Sequence, residues 1–497
     1  MSLVNSGCGR GVFGRGKSEL ARNAWVLIIV ATALQLRAGE MPVVSVGFGK
    51  ADITPELGPD RPVYLAGYSP GRTAQDVHDP LWSRCLVIAV ENARLAVVSV
   101  DSIGLQLPTV EQIRQKLTDY RYVLVSSTHN HEAPDTIGLW GPTPLVSGVD
   151  PRYLERIVEQ TVTAVRQAEQ RLVPVTARFG TAEDDSLLSD SRLPVVKDGI
   201  LRLVKFERVD NHQPVGIWMQ WNCHPEALGS RNRSITADFP WATITSLEQT
   251  EGCPVVYMTG AVGGLMAPPR GVVKDPQGNL LPESTFAYAE RYGQMVADLA
   301  RKALASCRTV RLGPLQVAAV PVHVPVTNPW YRAARAAGIL KRSSYQWSGD
   351  PFMPGEPLGW YNAWKTMAVR SEVAVVRLGE LSIACIPGEI YPELVYGRFE
   401  DPPDAGADYP DAPLEPTVVQ LLGDGPWLLA GLANDELGYL IPKRQWDAEP
   451  PFCYGRSQGQ YGEINSCGPD AANAVMQALA RCLKQLNSNV PVPAAGP

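Results

Sequence analysis

The chain has 497 residues, 45% of them hydrophobic and 19% charged, with a formal net charge of −6 at pH 7. That composition supports a sizeable core and excludes an intrinsically disordered chain. The mildly acidic balance, without Lys/Arg clusters in the body of the sequence, argues against nucleic acid as a partner.

In chain order, the first feature is a basic stretch, Arg10, Arg15, Lys17 and Arg22, ahead of the apolar run WVLIIVATALQL at 25–36 and then RAGE. An apolar run of about 12 residues behind a basic leader has the form of an export signal. It is short for a membrane span, which wants about 20 apolar residues. Residues 1–39 are therefore expected to be a signal peptide or an N-terminal anchor, giving a periplasmic, secreted or membrane-anchored protein. No later segment is apolar enough to span a membrane. Without Cys8, eight of the nine cysteines remain, an even number that permits disulfides in an exported chain without establishing them. Cys253, Cys307 and Cys385 sit in apolar contexts and read as buried thiols. Cys453 and Cys467, in a Gly/Tyr-rich loop, are the first pair to test for a bridge.

From residue 94 onward a pattern recurs: a short apolar strand, then an abrupt polar or glycine-rich exit. RLAVVSVDS exits at Asp101, RYVLVSSTHNH at His129 and His131, and VGIWMQWNCHPEA at His224. CPVVYMTGAVGG ends in small residues, LSIACIPGEIYPE delivers Glu389, and PWLLAGLANDELGY delivers Asn434 and Tyr439. The β-branched, nearly continuous apolar runs predict strands buried on both faces. Between them, TVEQIRQKL, PRYLERIVEQTVTAVRQAEQRL, WATITSLEQT and TFAYAERYGQMVADLARKALASC predict helices. The expected fold is α/β: one large layered mixed-sheet domain over 40–487 with helices on the outer faces, antiparallel strands added near 172–222 and 310–326, and an active site at the strand C-terminal ends. Residues 327–365 hold four of the twelve tryptophans among prolines and glycines. That segment reads either as a lid or binding loop or as a satellite core. The tail 488–497 reads as disordered.

His129 and His131 are the sharpest chemical signal. On an extended backbone, residues i and i+2 point the same way, so both imidazoles can address one point. Imidazole is a common zinc ligand, but paired histidines also occur as core hydrogen-bonding groups. His224 and Glu389, at other strand exits, supply further ligand types. His323, in an alternating strand, and His78 read as structural, and His212 sits in a polar turn. GYSPG at 67–71 fits the nucleophile-elbow pattern, but the residue after Ser69 is a proline without an N–H and no helical pattern follows. Asn232-Arg-Ser is an N-x-S match that matters only in a glycosylating host.

The order of several short motifs resembles the catalytic domain of the neutral/alkaline (non-lysosomal) ceramidases, zinc-dependent amidases. They are GFGKADITP at 47–55, LAGY at 65–68, Thr128-His129-Asn130-His131, NCHPEAL, ADFP at 237–240, Pro387-Gly388-Glu389, Asn434 with Gly438 and Tyr439, and Gln460-Tyr461. The likeness runs from about residue 45 to the C-terminus. It implies one zinc ion per chain held by His129, His224, Glu389 and Tyr439, with His131 and Tyr461 catalytic: His131 moves a proton and Tyr461 donates to the oxyanion. It implies, more loosely, that Arg192 binds substrate. Asp101, Glu132 and Asp135 are expected to orient the imidazoles, although turn formation or capping would also account for Asp135. The implied substrate is ceramide or a related N-acyl lipid, with peripheral membrane contact; Leu139-Trp140 and the 327–365 segment are expected to wall its acyl chain.

Three departures bear on the substrate. Gly263 in GAVGGL stands where the family pattern has a serine, which leaves attack by a zinc-activated water. Glu436 stands where the family usually has a tyrosine. The likeness also stops where better-known members continue into a β-sandwich domain, so that domain is not expected here. A zinc hydrolase of another amide or ester, or a degenerate non-catalytic envelope binding protein, remain the alternatives, and the oligomeric state is open.

Overall fold

The computed structural model describes residues 43–488 except 60, 265 and 360–365. The export signal or anchor, Trp360, Trp364 and most of the tail lie outside the described residues. Among the described residues, no helix is long and apolar enough to cross a membrane.

The strands that build the two main sheets are β1 (Val44–Asp52), β2 (Trp82–Val90), β3 (Ala93–Val100), β4 (Tyr122–Ser127), β5 (Val173–Glu183), β6 (Ile200–Arg208), β7 (Pro214–Trp221), β8 (Val255–Thr259) and β9 (Arg308–Val310), then β10 (Leu315–Val326), β11 (Ser344–Gln346), β12 (Met367–Leu378), β13 (Leu381–Cys385) and β14 (Trp427–Ala430). The first nine form one sheet in the order β8-β7-β6-β5-β1-β2-β3-β4, with β9 paired to β5; the rest form a second sheet in the order β10-β12-β13-β14, with β11 paired to β12. The helices named below are α1 (Leu107–Gln115), α2 (Pro151–Gln170), α3 (Phe239–Glu251), α4 (Phe286–Ala305), α5 (Pro329–Ala336) and α6 (Ala471–Asn487).

The sheets stack face to face. Val46, Phe48, Leu86, Ile88 and Trp218 of the first share one buried cluster with Ala374, Val376, Ile383 and Leu428 of the second. Because side chains alternate along a strand, the opposite face of the first sheet offers Cys85, Val87, Val98 and Val125 to Ile157, Val158 and Val165 of α2. Farther along that face, Leu203, Met219 and Tyr257 meet Phe239, Leu247, Tyr292 and Val296 of α3 and α4. The outer face of the second sheet is covered by α6 through Val475, Met476, Leu479 and Cys482. The result is a helix–sheet–sheet–helix sandwich, in line with the layered α/β expectation. The motif pattern did not anticipate β1, β2, β12 or α6.

Most neighbours are antiparallel. Within the first sheet, β3–β4 and β7–β8 are the parallel pairs, and these are the strands that carry chemistry at their exits. The two ends of that sheet converge: Ser99 Oγ on β3 donates to the Tyr257 carbonyl on β8 at 2.5 Å, and Thr259 Oγ1 donates to the Thr128 carbonyl at 2.8 Å. The exit of β4 at His129 is thereby brought against the exit of β8, and β7, the partner of β8, brings His224 to the same edge. The 431–433 turn is wedged there too, with Gly431 N–H on the Thr259 carbonyl and Ser127 N–H on the Leu432 carbonyl.

All eight described cysteines are free and buried, so Cys453 and Cys467, the pair singled out for a test, form no bridge. Cys467 Sγ faces the Leu437 carbonyl at 3.3 Å.

Candidate active site

His129 does not sit on extended backbone. Its φ is +66°, a left-handed conformation that costs energy for a non-glycine residue and persists where the surroundings fix it. The expected convergence with His131 still occurs, with ring centroids 5.0 Å apart, but through this turn and not through strand alternation. His224 joins them at 4.9 Å from His129 and 5.8 Å from His131. One ring nitrogen from each of the three buried histidines lies within 4.8 Å of the others.

Two of the rings are anchored in the same way. His129 Nδ1 lies 2.7 Å from the Ile103 carbonyl and His224 Nδ1 lies 2.8 Å from the Met266 carbonyl. A carbonyl only accepts, so both Nδ1 atoms carry hydrogen and both Nε2 atoms face inward. There they meet the same atom, Glu389 Oε2, at 3.3 Å and 2.8 Å. Burial works to raise the Glu389 carboxyl, but His129 and His224 hold it well below the usual carboxylate range. Burial likewise disfavours charge on His129, yet Glu389 holds its pKa up. With no hydrogen on either Nε2, the two lone pairs and the carboxylate oxygen would repel unless positive charge lay between them, and a divalent metal ion fits that donor set.

Tyr439 completes the cluster. Residues 389–390 and 439–440 form a short parallel ladder in which Glu389 is the register partner of Tyr439, and the Tyr439 hydroxyl lies 3.4 Å from His224 Nε2. Burial, then Glu389, pushes the phenol well above its ordinary range. The glycines of both motifs serve this approach. A Cβ on Gly388 would lie 2.6 Å from the Gly438 carbonyl, and one on Gly438, at φ +80°, would lie 1.9 Å from the Asn465 carbonyl.

His131 differs from its neighbours. Both of its ring nitrogens are buried without a hydrogen-bond partner, and burial, followed by the two other imidazoles, drives its pKa well down. The Tyr68 ring packs on it edge-to-face at 5.1 Å, and a Cβ on Gly67 would fall 2.4 Å from its Cγ. Arg72, fully buried, donates to the His131 and Ala66 carbonyls and to Glu132 Oε2 at 2.8 Å. Glu226 Oε2 stands 3.8 Å from His131 Nδ1. The sequence reading named no role for Tyr68, Arg72 or Glu226; only the closeness of Glu226 to His224 in HPE pointed toward the last.

The three carboxylates expected to orient imidazoles lie elsewhere. Asp101 accepts from Trp82 N–H and Arg84 at 2.8 and 2.9 Å. Glu132 bonds Arg72 and Asn232. Asp135 accepts from the backbone N–H groups of Ile137, Gly138 and Trp140, which is turn formation. Among the described residues none of them hydrogen-bonds an imidazole, because the backbone carbonyls of Ile103 and Met266 already do so. Arg192 grips Glu463 at 2.7 and 2.9 Å and the Gln445 and Tyr461 carbonyls at 2.8 and 3.1 Å. It braces the loop carrying Tyr461 and is not among the residues lining the pocket.

A pocket opens beside the cluster. His129, His131, Glu389, Tyr439 and Tyr461 line one side, and Ile103, Ile137, Leu139, Trp140, Leu340 and Met367 line an apolar side. Tyr461 is half exposed, its ring 6.2 Å from that of Tyr439, and burial followed by Glu389 pushes its phenol up to about 12. Among the described residues of the 327–365 segment, Tyr331, Arg335, Leu340 and Arg342 face the pocket, while Trp330 is 66% exposed.

Two other sequence features resolve structurally. Gly263 is pressed on Tyr391, whose Cδ2 would be 2.3 Å from an added Cβ, so a serine has no room there. Asp238 of ADFP caps α3 at Phe239 N–H and also accepts from Ala227 and Leu228 N–H, tying the loop after His224 to that helix.

Residues 44–253 match the family model described as neutral/alkaline non-lysosomal ceramidase, N-terminal. That bears out the motif resemblance over the span that includes all three clustered histidines. No curated protein matches the chain. In fold it is similar to the crystal structure of neutral ceramidase from Pseudomonas aeruginosa, with a TM-score of 0.66 and 16% identity over 92% of this chain and 76% of that one. It is similar also to a ceramidase complexed with C2, with a TM-score of 0.64 and 16% identity over 92% and 77% of the two chains.

Proposed function

We propose that the protein is a zinc-dependent amidase that hydrolyses ceramide or a related N-acyl lipid. The observation that carries this reading is the facing of His129 Nε2 and His224 Nε2 on one oxygen of Glu389, beside an apolar pocket in a chain whose first half matches the ceramidase family model.

In this reading His129, His224, Glu389 and Tyr439 hold the ion. His131 is assigned to proton transfer because an imidazole that ligates a metal normally has its other nitrogen anchored. His129 and His224 meet that condition and His131 does not. Bound zinc supplies Lewis acidity toward the scissile carbonyl and lowers the pKa of water toward 7. His131, neutral and unpartnered, takes the proton released on attack and returns it to the departing amine. The Tyr461 hydroxyl, close to Tyr439 at the pocket wall, donates to the developing oxyanion. The apolar side of the pocket takes the acyl chain and keeps water from the reacting groups. Export, read from residues 1–39, belongs to the same proposal and is tested by cell fractionation.

The primary test is metal content by plasma mass spectrometry of the mature chain, with His129→Ala and His131→Ala beside it, together with turnover of N-acyl lipids against water-soluble amides. The expected result is one zinc per wild-type chain, lost in His129→Ala, retained in His131→Ala, with hydrolysis confined to the lipids. Wild-type protein that takes up no metal when zinc is supplied overturns the reading.

A further inference from the structure

We propose that Glu436 reads a hydroxyl group which the substrate carries within a few bonds of the scissile amide, and thereby sets which amides the pocket accepts. That the ligand is an amide rests on the amidase reading; the bare carboxyl oxygen in the pocket does not.

Glu436 is nine-tenths buried and lines the pocket among Ile103, Ile137 and Leu340. Its two oxygens are unequal. Oε1 accepts the Gly438 N–H at 2.7 Å, while Oε2 is buried without a hydrogen-bond partner. Arg342, which also lines the pocket, makes no hydrogen bond to that oxygen. That guanidinium is spent on both oxygens of Asp435, at 3.1 and 2.7 Å, and on the carbonyls of Glu436 and Arg370. Space for the side chain comes from Gly104, where a Cβ would lie 2.8 Å from Glu436 Cγ and 2.9 Å from its Cβ.

A buried carboxyl oxygen without a partner is costly, and a ligand that supplies one recovers that cost. An all-hydrocarbon ligand in this pocket leaves Oε2 unpaired. An ammonium pairs only with the ionised carboxylate, and a carboxylate only with the protonated acid. A hydroxyl both donates and accepts, so it pairs with Oε2 in either state. A site built to bond a hydroxyl rejects the analogue that lacks it, because its own polar group is then left bare.

The test is equilibrium binding by calorimetry to the intact chain as purified, with three amides. N-dodecanoylethanolamine carries the hydroxyl on the amine side, N-(2-hydroxydodecanoyl)propylamine carries it on the acyl side, and N-dodecanoylpropylamine carries none. Wild type is expected to bind one of the two hydroxylated amides about 10- to 100-fold more tightly than the third, and which one it is identifies the side. E436Q, whose amide still pairs with a hydroxyl, keeps that preference. E436L removes it while still binding the unhydroxylated amide. Should E436L not fold, G104A serves, since it displaces the Glu436 side chain and should weaken the preference. Equal binding of all three by wild type, binding of none, or an undiminished preference in E436L or G104A overturns the proposal. Turnover is read separately. A preference that follows Glu436 without hydrolysis sinks the amidase reading alone, and hydrolysis with a preference indifferent to Glu436 sinks this one alone.

Discussion

In the histidine cluster, each of His129, His224 and Glu389 is fastened twice, once to the backbone or a ladder and once to another member of the cluster. The pocket wall a few residues away is built the other way. Helix α5 buries none of its residues fully, Tyr461 is half exposed, and Glu436 keeps an unpaired oxygen. In the cluster, backbone carbonyls and a short ladder hold the inward-facing atoms in place. Loops and a short helix hold a surface that remains open to ligands, and the polar capacity left unspent there is available for recognition. On the proposed reading, the chemistry and the selectivity therefore sit on differently fastened parts of the fold.

The comparison can be broken first at the cluster. Glu389→Ala leaves two inward-facing imidazoles without their shared oxygen and is expected to abolish both zinc binding and turnover, with the far-ultraviolet circular dichroism unchanged. A variant that binds zinc normally and hydrolyses substrate would remove Glu389 from the ligand set. At the wall, Tyr461→Phe should keep its full zinc content and lose about 10²- to 10³-fold in kcat, as expected for one oxyanion donor; loss of metal in this variant would merge the two regions into one.

The smallest effect lies behind the cluster, at Glu393, four residues after Glu389. Its carboxyl is buried with Oε2 unpaired, and burial raises its pKa to about 8. A carboxyl raised in the folded state stabilises the fold fully below its unfolded pKa of about 4.3, and that contribution is lost as pH climbs toward about 8. Glu393→Gln has no such proton to lose. Its stability relative to wild type should therefore improve between pH 5 and pH 8, by at most about 3 to 4 kcal/mol. Denaturant midpoints that shift equally at both pH values would show that Glu393 is not the source of the dependence.

Much of the candidate site was legible because its residues stand at the ends of apolar runs. THNH, NCHPEAL and PGE each mark a place where a buried strand stops and a polar side chain follows, and the four helical patterns near 109–117, 151–172, 241–250 and 285–307 correspond to α1 through α4. The glycines of PGE and of the segment before Tyr439 were visible as motif letters. Their reason, the close approach of two backbones, was not.

What the sequence determined by itself is the set of local choices: which runs are buried on both faces, where they end, and which ionisable groups stand at those ends. Hydrophobic period and residue chemistry act over a few residues, so they can be read without coordinates. Only the tertiary structure decided the partners. The carbonyls of Ile103 and Met266 hold the imidazoles, and a backbone carbonyl is the same group in every residue, so no letter announces it. The convergence of β3 and β4 with β8, the left-handed turn at His129, the spending of Arg192 on Glu463 and the bare oxygen of Glu436 all depend on contacts between distant segments. Such contacts are set by how two sheets stack, which is a property of the whole chain.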